Sequence, residues 1–452
     1  MTPFQLSNEL LEQIKLDIDA RHNKALQKLL EEYHYADLAE IFDALPINYG
    51  VYLFKLIDTE KTSDVLTEID EDVREDILEA LSSEEIATEL NEIDTDDAAD
   101  IIAELPEERQ EEVIEQISDA EHAQDIRELL SYDEDSAGGL MAKELVKVNQ
   151  NWTVTRCVKE MRIQAQEVTR VHSIYVVDDD NVLLGRLSLK DLLTANDRSK
   201  IKSIYIPKVD YVHVEEEGEE VAKIMSKYDL EAIPVVDDNK KLLGRITIDD
   251  IVDLIKDEAE KDYQLAAGIS SGVEADDSIV ELTRARLPWL ILGLIGGLGS
   301  VFILEGFEGI MSHPSYKTLF FFTPLIAAMA GNVGVQSSAI IVQGLANDIV
   351  KGSLWHRLLK EVGLSLINGG ALALLVLLFG WIAQQPTEVS ITIALSMLCV
   401  IVVSALVGTF VPIVLHRKGI DPAIATGPFI TTSNDIFGIF LFFYIAKLML
   451  GF

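Results

Sequence analysis

Val176–Asp191 reads VVDDDNVLLGRLSLKD, and Val235–Asp250 reads VVDDNKKLLGRITIDD. The two stretches align without a gap: Gly185 and Gly244, Arg186 and Arg245, and Asp191 and Asp250 each stand 59 residues apart. Each copy predicts an apolar strand, an acidic turn, a second strand, and a helix opened by a Ser or Thr cap. A helix is also expected ahead of each, around Val154–Arg162 and Val221–Tyr228. The pattern is a duplicated α+β unit.

Outward toward the N-terminus, residues 5–130 read as helical and recur more loosely. Ala39–Pro46 (AEIFDALP) is echoed by Ala99–Pro106 (ADIIAELP), with a degenerate copy around Ser63–Ile69. Short helices repeated in this way predict a small α-solenoid. The N-terminal segment lacks a basic start and an apolar core, so no cleaved signal is expected.

Outward toward the C-terminus the composition changes. Apolar stretches long enough to cross a bilayer begin near Leu287, Thr318, Val362, Val389 and Pro422, and end near Leu304, Leu345, Ala383, Leu415 and Leu450. Five spans place the two ends of the chain on opposite sides. Arg284 and Arg286 precede the first span. Lys351, Arg357 and Lys360 lie between the second and third, and Arg417 and Lys418 between the fourth and fifth. By the positive-inside rule the N-terminal half is cytosolic and the C-terminus outside.

Charge divides at the same place. The chain holds 76 acids and 37 bases, a net charge of −39. Residues 287–452 hold seven of each, so 69 acids and 30 bases remain upstream, and the whole surplus sits on the first 286 residues. Such a surface attracts cations and repels nucleic acid, which argues against DNA or RNA as partners. Cys157 and Cys399 stand alone, one in each half, so neither a disulfide framework nor a zinc site is expected. No nucleophile–base pair or phosphate loop is evident, and an enzyme is the least favoured class.

Within the spans an ionisable side chain is expensive and invites a functional reading. Most charges there fall at span ends, within reach of water. Asp435 is expected near the middle of the last span, after the small and polar run Gly427–Asn434 (GPFITTSN), in which Pro428 removes a backbone donor. The second span has a comparable weak place: Pro324, then Gly331–Ser338 (GNVGVQSS). Small-residue packing between helices would use the same Gly, Ser and Thr positions. A carboxylate among amides, hydroxyls and carbonyls is an all-oxygen setting that suits Mg2+, Ca2+ or Mn2+. One Asp per chain fits Mg2+, which keeps most of its waters, and a two-fold dimer would bring two such groups to one axis.

The duplicated unit resembles a tandem pair of CBS domains over roughly residues 138–262, on aliphatic-Gly-Arg-aliphatic-Ser/Thr-x-x-Asp occurring twice. In that family the Ser/Thr and Asp of this turn often bind adenosine nucleotides, which would implicate Ser188 with Asp191 and Thr247 with Asp250 and make ATP a candidate ligand. Helix capping is the competing role for the same residues.

Taken over the full chain, the order of parts resembles the MgtE family of Mg2+ channels and transporters. The carrying segments are Asp135–Met141 (DSAGGLM), the paired repeats, Gly331–Ser337 (GNVGVQS), and Asp421 through Asp435. The resemblance implies a homodimer in the cell membrane with a helical acidic N domain (1–132) and a CBS pair (133–262, as 138–200 and 201–262). A connecting plug helix and linker (248–286) and a membrane domain of five helices (287–452) would follow. It implies Asp435 as the pore carboxylate, with Asn332 and backbone at Ala328 and Gly331 beside it, and Asp421 as the acid at the cytosolic mouth. Regulatory Mg2+ sensing would fall to Asp250, Asp253, Glu258 and Asp262 on the plug helix, Asp229 in the second CBS domain, and Asp97 and Asp100 in the N domain. Bound Mg2+ would bridge these acids and close the pore. Lys261 and Gly427 depart from the family pattern. A membrane-anchored CBS nucleotide sensor, a broader Mn2+/Co2+ transporter, and an exporter coupled to Na+ or H+ are the alternatives.

Overall fold

The computed structural model describes residues 4–166, 168, 170–270, 272–275, 277–312, 316–346, 349–350 and 353–451. Lys351, named above among the loop charges, lies outside them. The chain divides into two compact units, Met1–Ile255 and Lys256–Phe452.

The first unit begins with ten short helices: α1 (Asn8–Asp19), α2 (Asn23–Leu30), α3 (Tyr35–Asp43), α4 (Ile47–Phe54), α5 (Thr59–Glu68), α6 (Glu71–Ala80), α7 (Ser83–Leu90), α8 (Thr95–Ala103), α9 (Glu107–Ile114) and α10 (Ala120–Leu129). Side-chain bonds recur between residues about thirty apart. Tyr52 donates to Asn23 at 2.7 Å, Lys55 to Glu85 at 2.8 Å, and Arg74 Nε to Glu104 at 2.9 Å. Each helical hairpin therefore ties itself to the next, as in a stacked solenoid. The weak copy around Ser63–Ile69 belongs to this series: Thr62 and Ser63 donate to the buried Glu89 at 2.8 and 3.0 Å. Leu38, Ile41, Leu66, Ile86, Leu90 and Ile102 fill the core beneath.

The duplication folds as two three-stranded sheets. The first comprises β1 (Val146–Asn149), α11 (Val154–Gln164), β2 (Ile174–Val177), β3 (Leu183–Leu187) and α12 (Leu189–Thr194). The second comprises β4 (Val212–His213), α13 (Gly218–Tyr228), β5 (Ala232–Val236), β6 (Leu242–Thr247) and α14 (Ile248–Ala267). In each, the first strand runs parallel to the second and the second antiparallel to the third. Val176 faces Gly185 and Val235 faces Gly244, with an irregularity immediately after each. The two acidic turns pair with each other: Leu242 N donates to Asn181 O at 3.0 Å, and Leu183 N to Lys240 O at 2.8 Å. Asn181 and Lys240, equivalent in the repeat, both take left-handed backbone, with φ of 63° and 61°. The duplicated sequence thus meets itself in space.

The second unit holds α15 (Ile279–Gly306), α16 (Thr323–Ala346), α17 (Leu354–Ile382), α18 (Thr387–His416) and α19 (Gly427–Leu450). All five are long and apolar enough to cross a membrane. The helices run well beyond several of the predicted spans. Helix α18 packs against both α16 and α17 because glycines let backbones approach: a Cβ at Gly408 would collide with the Gly334 carbonyl oxygen. Cys157 and Cys399 are both free.

Candidate ion pathway and acidic surfaces

Helix α16 is continuous from Thr323 to Ala346, so Gly331–Ser338 do not break it. Pro324 and Pro428 stand in the first turn of their helices, where the missing N–H has no intrahelical partner to lose. Neither proline loosens the interior of a span. Asp435 follows the first residue of α19 by eight positions, roughly 12 Å along the axis at 1.5 Å per residue. It lies in the first half of the helix and not near its middle, because α19 starts at Gly427 and not at Pro422. Pro422–Ala425 instead form a short 3-10 turn, capped by Asp421, whose Oδ1 accepts from Ala423 N at 2.7 Å.

Asp435 is half-buried and leans over α16, its Oδ1 3.3 Å from the place a Cβ on Gly331 would take. Gly331 is buried against it, whereas Ala328, Asn332 and Gln336 are exposed. Those three share one face at a spacing of four residues, so α16 carries an uncovered stripe with two amides, Asn332 and Gln336, beside the carboxylate. Asn434, next to Asp435, is fully buried, and neither amide atom has a hydrogen-bond partner among the described residues. It packs over Gly334. Sequence reading passed over it, since an Asn in a polar run carries no sign of where it points. Glu361 stands one residue before the predicted start of the third span at Val362. It lies within α17 and accepts from Ser337 of α16 at 2.6 Å.

The end of α14 is seated on the start of α19. A side chain on Gly427, whose φ is 48°, would meet the Ala266 carbonyl, and one on Gly268 would meet the Pro428 ring. The helix that bears Asp435 therefore begins against the last turn of α14.

The predicted sensing acids separate into groups. Asp97 and Asp100 on α8 do gather with Asp250 at the start of α14. Burial, then the charge of Asp250, pushes the Asp97 carboxyl up to about 7. Burial, then Glu134, pushes Asp100 up to about 7. Three acids that sequence reading missed join them. Burial, then Glu144, raises Asp94 to about 6; burial, then Asp97, raises Asp96 well above the usual range; Glu144 accepts from Thr95 N and Oγ1 at 3.2 and 2.8 Å. Basic side chains reach the group from several places: Arg74 acts on Asp100, His122 Nδ1 stands 3.8 Å from Glu144 Oε1, and Arg245 lies beside Asp94. Arg245 is 5% exposed, its Nη2 3.5 Å from Asp94, whereas its repeat equivalent Arg186 is exposed.

The other predicted acids stand elsewhere. Burial, then the charge of Asp253, raises Glu68 of α5. Asp229 is exposed at the left-handed cap of α13, outside the cluster. Glu258 is paired with Lys261, Nζ to Oε1 2.9 Å, and Asp262 follows one turn after Glu258 on α14. Among the described residues no group of three or more His, Cys, Asp or Glu is placed to hold a metal ion.

At the CBS turns, Ser188 does not make the expected cap bond. The Thr247 hydroxyl donates to Asp250 Oδ2 at 2.8 Å, and Asp250 Oδ2 also accepts from Thr247 N at 2.9 Å. Here the acid folds back on the threonine; the hydroxyl does not cap the helix. The Ser188 and Asp191 side chains make no hydrogen bond among the described residues.

A helical acidic array, a CBS pair and five apolar helices with a carboxylate set beside a polar stripe define a multi-pass membrane transporter. Comparison with known proteins agrees. The family model described as a divalent cation transporter matches residues 323–445, the MgtE intracellular N domain matches 33–135, and the CBS domain matches 137–197 and 201–257. The magnesium transporter MgtE of Enterococcus faecalis is 36% identical over 323 residues, 71% of each chain, and that of Thermus thermophilus 34% over 325 residues, 71% of this chain and 72% of its own. The solved cytosolic domain of the Mg2+ channel MgtE in complex with ATP is 31% identical with a TM-score of 0.51, covering 54% of this chain and 99% of that one. The chain belongs to the MgtE family of transporters.

Proposed function

We propose that the chain conducts Mg2+ across the cell membrane into the cytosol as a homodimer. Its acidic N-terminal half would be cytosolic and its C-terminus outside. The observation that carries the reading is the placement of Asp435 beside Gly331, at the edge of the stripe Ala328, Asn332, Gln336. Polar side chains on an uncovered face of a spanning helix are costly against lipid, so this face meets water or a second copy of itself. A hydrated Mg2+ is held there through its waters, by the Asp435 carboxylate, the Asn332 amide and backbone at Ala328 and Gly331.

Gating follows from charge. Asp94, Asp96, Asp97, Asp100 and Asp250 repel one another when ionised, and cytosolic Mg2+ offsets that repulsion and favours the compact, closed state. Asp253, Asp229, Glu258, Asp262 and Asp421 add weaker binding along α14 and at the mouth. A near-complete switch needs about 5.5 kcal/mol of differential binding, which several weak sites supply together. The seat of α14 on α19 is the route by which that change reaches Asp435. ATP binds at the CBS pair through Ser188 and Asp191, with Thr247 and Asp250 as the second copy's equivalents.

Ion flux into proteoliposomes tests the reading, with wild type and Asp435→Asn compared while Mg2+ on the cytosolic face is varied and Mn2+ and Co2+ are run in parallel. Flux should collapse in the variant and fall in wild type as cytosolic Mg2+ rises. Undiminished flux in the variant would remove the pore assignment, and flux indifferent to Mg2+ would remove the sensor.

A further inference from the structure

Where α16 ends and α17 begins, a cavity of about 90 Å³ opens beside the end of α18. Its floor is Leu345, Leu354 and Ile413, and its rim is Arg357, His416 and Arg417. Ile341, Leu345 and Ile413 form a small buried cluster, against which Leu354 also packs, so the floor is dry and fixed. Arg357 lines the cavity, and its Nη2 donates to Ile349 O at 2.9 Å, which fixes one edge of the guanidinium. Neither arginine has a carboxylate partner among the described residues.

Two guanidinium groups and an imidazole over an aliphatic floor make an anion site open to an apolar neighbour. Planar guanidinium groups match phosphate oxygens in pairs, where an ammonium would act as a point charge. The volume is that of roughly three waters, room for a phosphodiester and not for a nucleotide. Trp355, in the first turn of α17 and 74% exposed, marks the depth, since such a ring settles at the membrane–water interface. Phosphate chemistry is thus presented at the headgroup level, with acyl-compatible surface below.

We infer that this cavity binds the phosphodiester of an anionic phospholipid in the leaflet on the basic side of the membrane domain. The inference rests on the five spanning helices and their basic loops, not on the ion pathway. A phosphate group is the shared chemistry of a lipid headgroup and of free inorganic phosphate; the apolar floor and the flanking Trp355 select the lipid.

The test uses full-length protein, delipidated in detergent, with phosphatidylglycerol retention followed by native mass spectrometry against phosphatidylcholine and with inorganic phosphate as competitor. Arg357→Gln with Arg417→Gln should weaken phosphatidylglycerol retention at least tenfold and leave phosphatidylcholine unchanged. Lys418→Gln, which removes a charge from the same loop but outside the cavity, should match wild type. Should the glutamine pair fail to fold, Arg357→Lys with Arg417→Lys keeps the charge, loses the paired geometry, and should still weaken retention several-fold. Wild-type retention in the folded arginine variants, or an equal loss in Lys418→Gln, would overturn the assignment. So would displacement of phosphatidylglycerol by millimolar inorganic phosphate.

Discussion

Lys261 Nζ lies 2.9 Å from Glu258 Oε1, one turn along α14, so the chain supplies its own cation to an acid expected to sense Mg2+. The pair is partly exposed, and such pairs contribute about 0.2–1 kcal/mol. Removing the lysine charge leaves Glu258 to bind metal instead. Lys261→Gln should lower the cytosolic Mg2+ concentration that halves flux by up to about fivefold, measured in proteoliposomes. An unchanged or raised concentration would show that Glu258 takes no part in sensing.

Gly331 is where a methyl group would press on the Asp435 carboxylate. A Cβ there would stand 3.3 Å from Asp435 Oδ1 and 3.1 Å from Thr431 Cγ2. Gly331→Ala should displace the carboxylate by a few tenths of an ångström and cut flux several-fold, at a stability cost of about 1 kcal/mol. Flux and detergent melting temperature measured on one preparation separate the two effects. A variant that melts lower but conducts as wild type would mean that Asp435 has room to spare.

Acid should replace Mg2+ at the α8–α14 cluster. Asp97 and Asp100 are pushed up to about 7 and Asp94 to about 6, from an ordinary 3.8. With raised values, the compact state binds more protons than the separated or unfolded state between about pH 4 and 7, so its stability declines as pH climbs through that window. The stabilisation by Mg2+, read as the shift in melting temperature over chelator, should be larger at pH 8 than at pH 5.5. Asp97→Asn with Asp100→Asn should flatten this difference. An equal shift at both values would place the regulatory ion elsewhere.

The two CBS turns should differ in their hold on nucleotide. Asp250 is engaged by the Thr247 hydroxyl and N–H, whereas the Ser188 and Asp191 side chains make no hydrogen bond among the described residues. Asp191→Asn should weaken ATP binding about tenfold, consistent with the loss of a charge-assisted hydrogen bond of about 1.5–3 kcal/mol, and Thr247→Ala should change it little. Titration calorimetry on the full chain reads both. Greater loss on Thr247→Ala would reverse the assignment.

Local pattern determined much of this protein. The 59-residue repeat specified two like α+β units because strand, turn and helix signals are short-range, and both units fold with the same register about Gly185 and Gly244. Hydropathy counted five spans because length and apolarity alone admit a helix to the bilayer. Asp435 is conspicuous as a charge inside a predicted span, after a small and polar run.

What the sequence could not show is which side chains meet. Prolines 324 and 428 read as breaks and turned out to be helix starts, since a proline's effect depends on its place in the turn. Asn434 and Glu361 gained meaning only when α16 packed across them. The acids expected to sense Mg2+, all alike in a chain of 76 carboxylates, are sorted by tertiary structure. It set Asp97, Asp100 and Asp250 together with Asp94, Asp96 and Glu144, put Arg245 beside Asp94, gave Glu258 a lysine, and left Asp229 exposed. Burial and proximity fix what a charge can do, and both are properties of the folded chain.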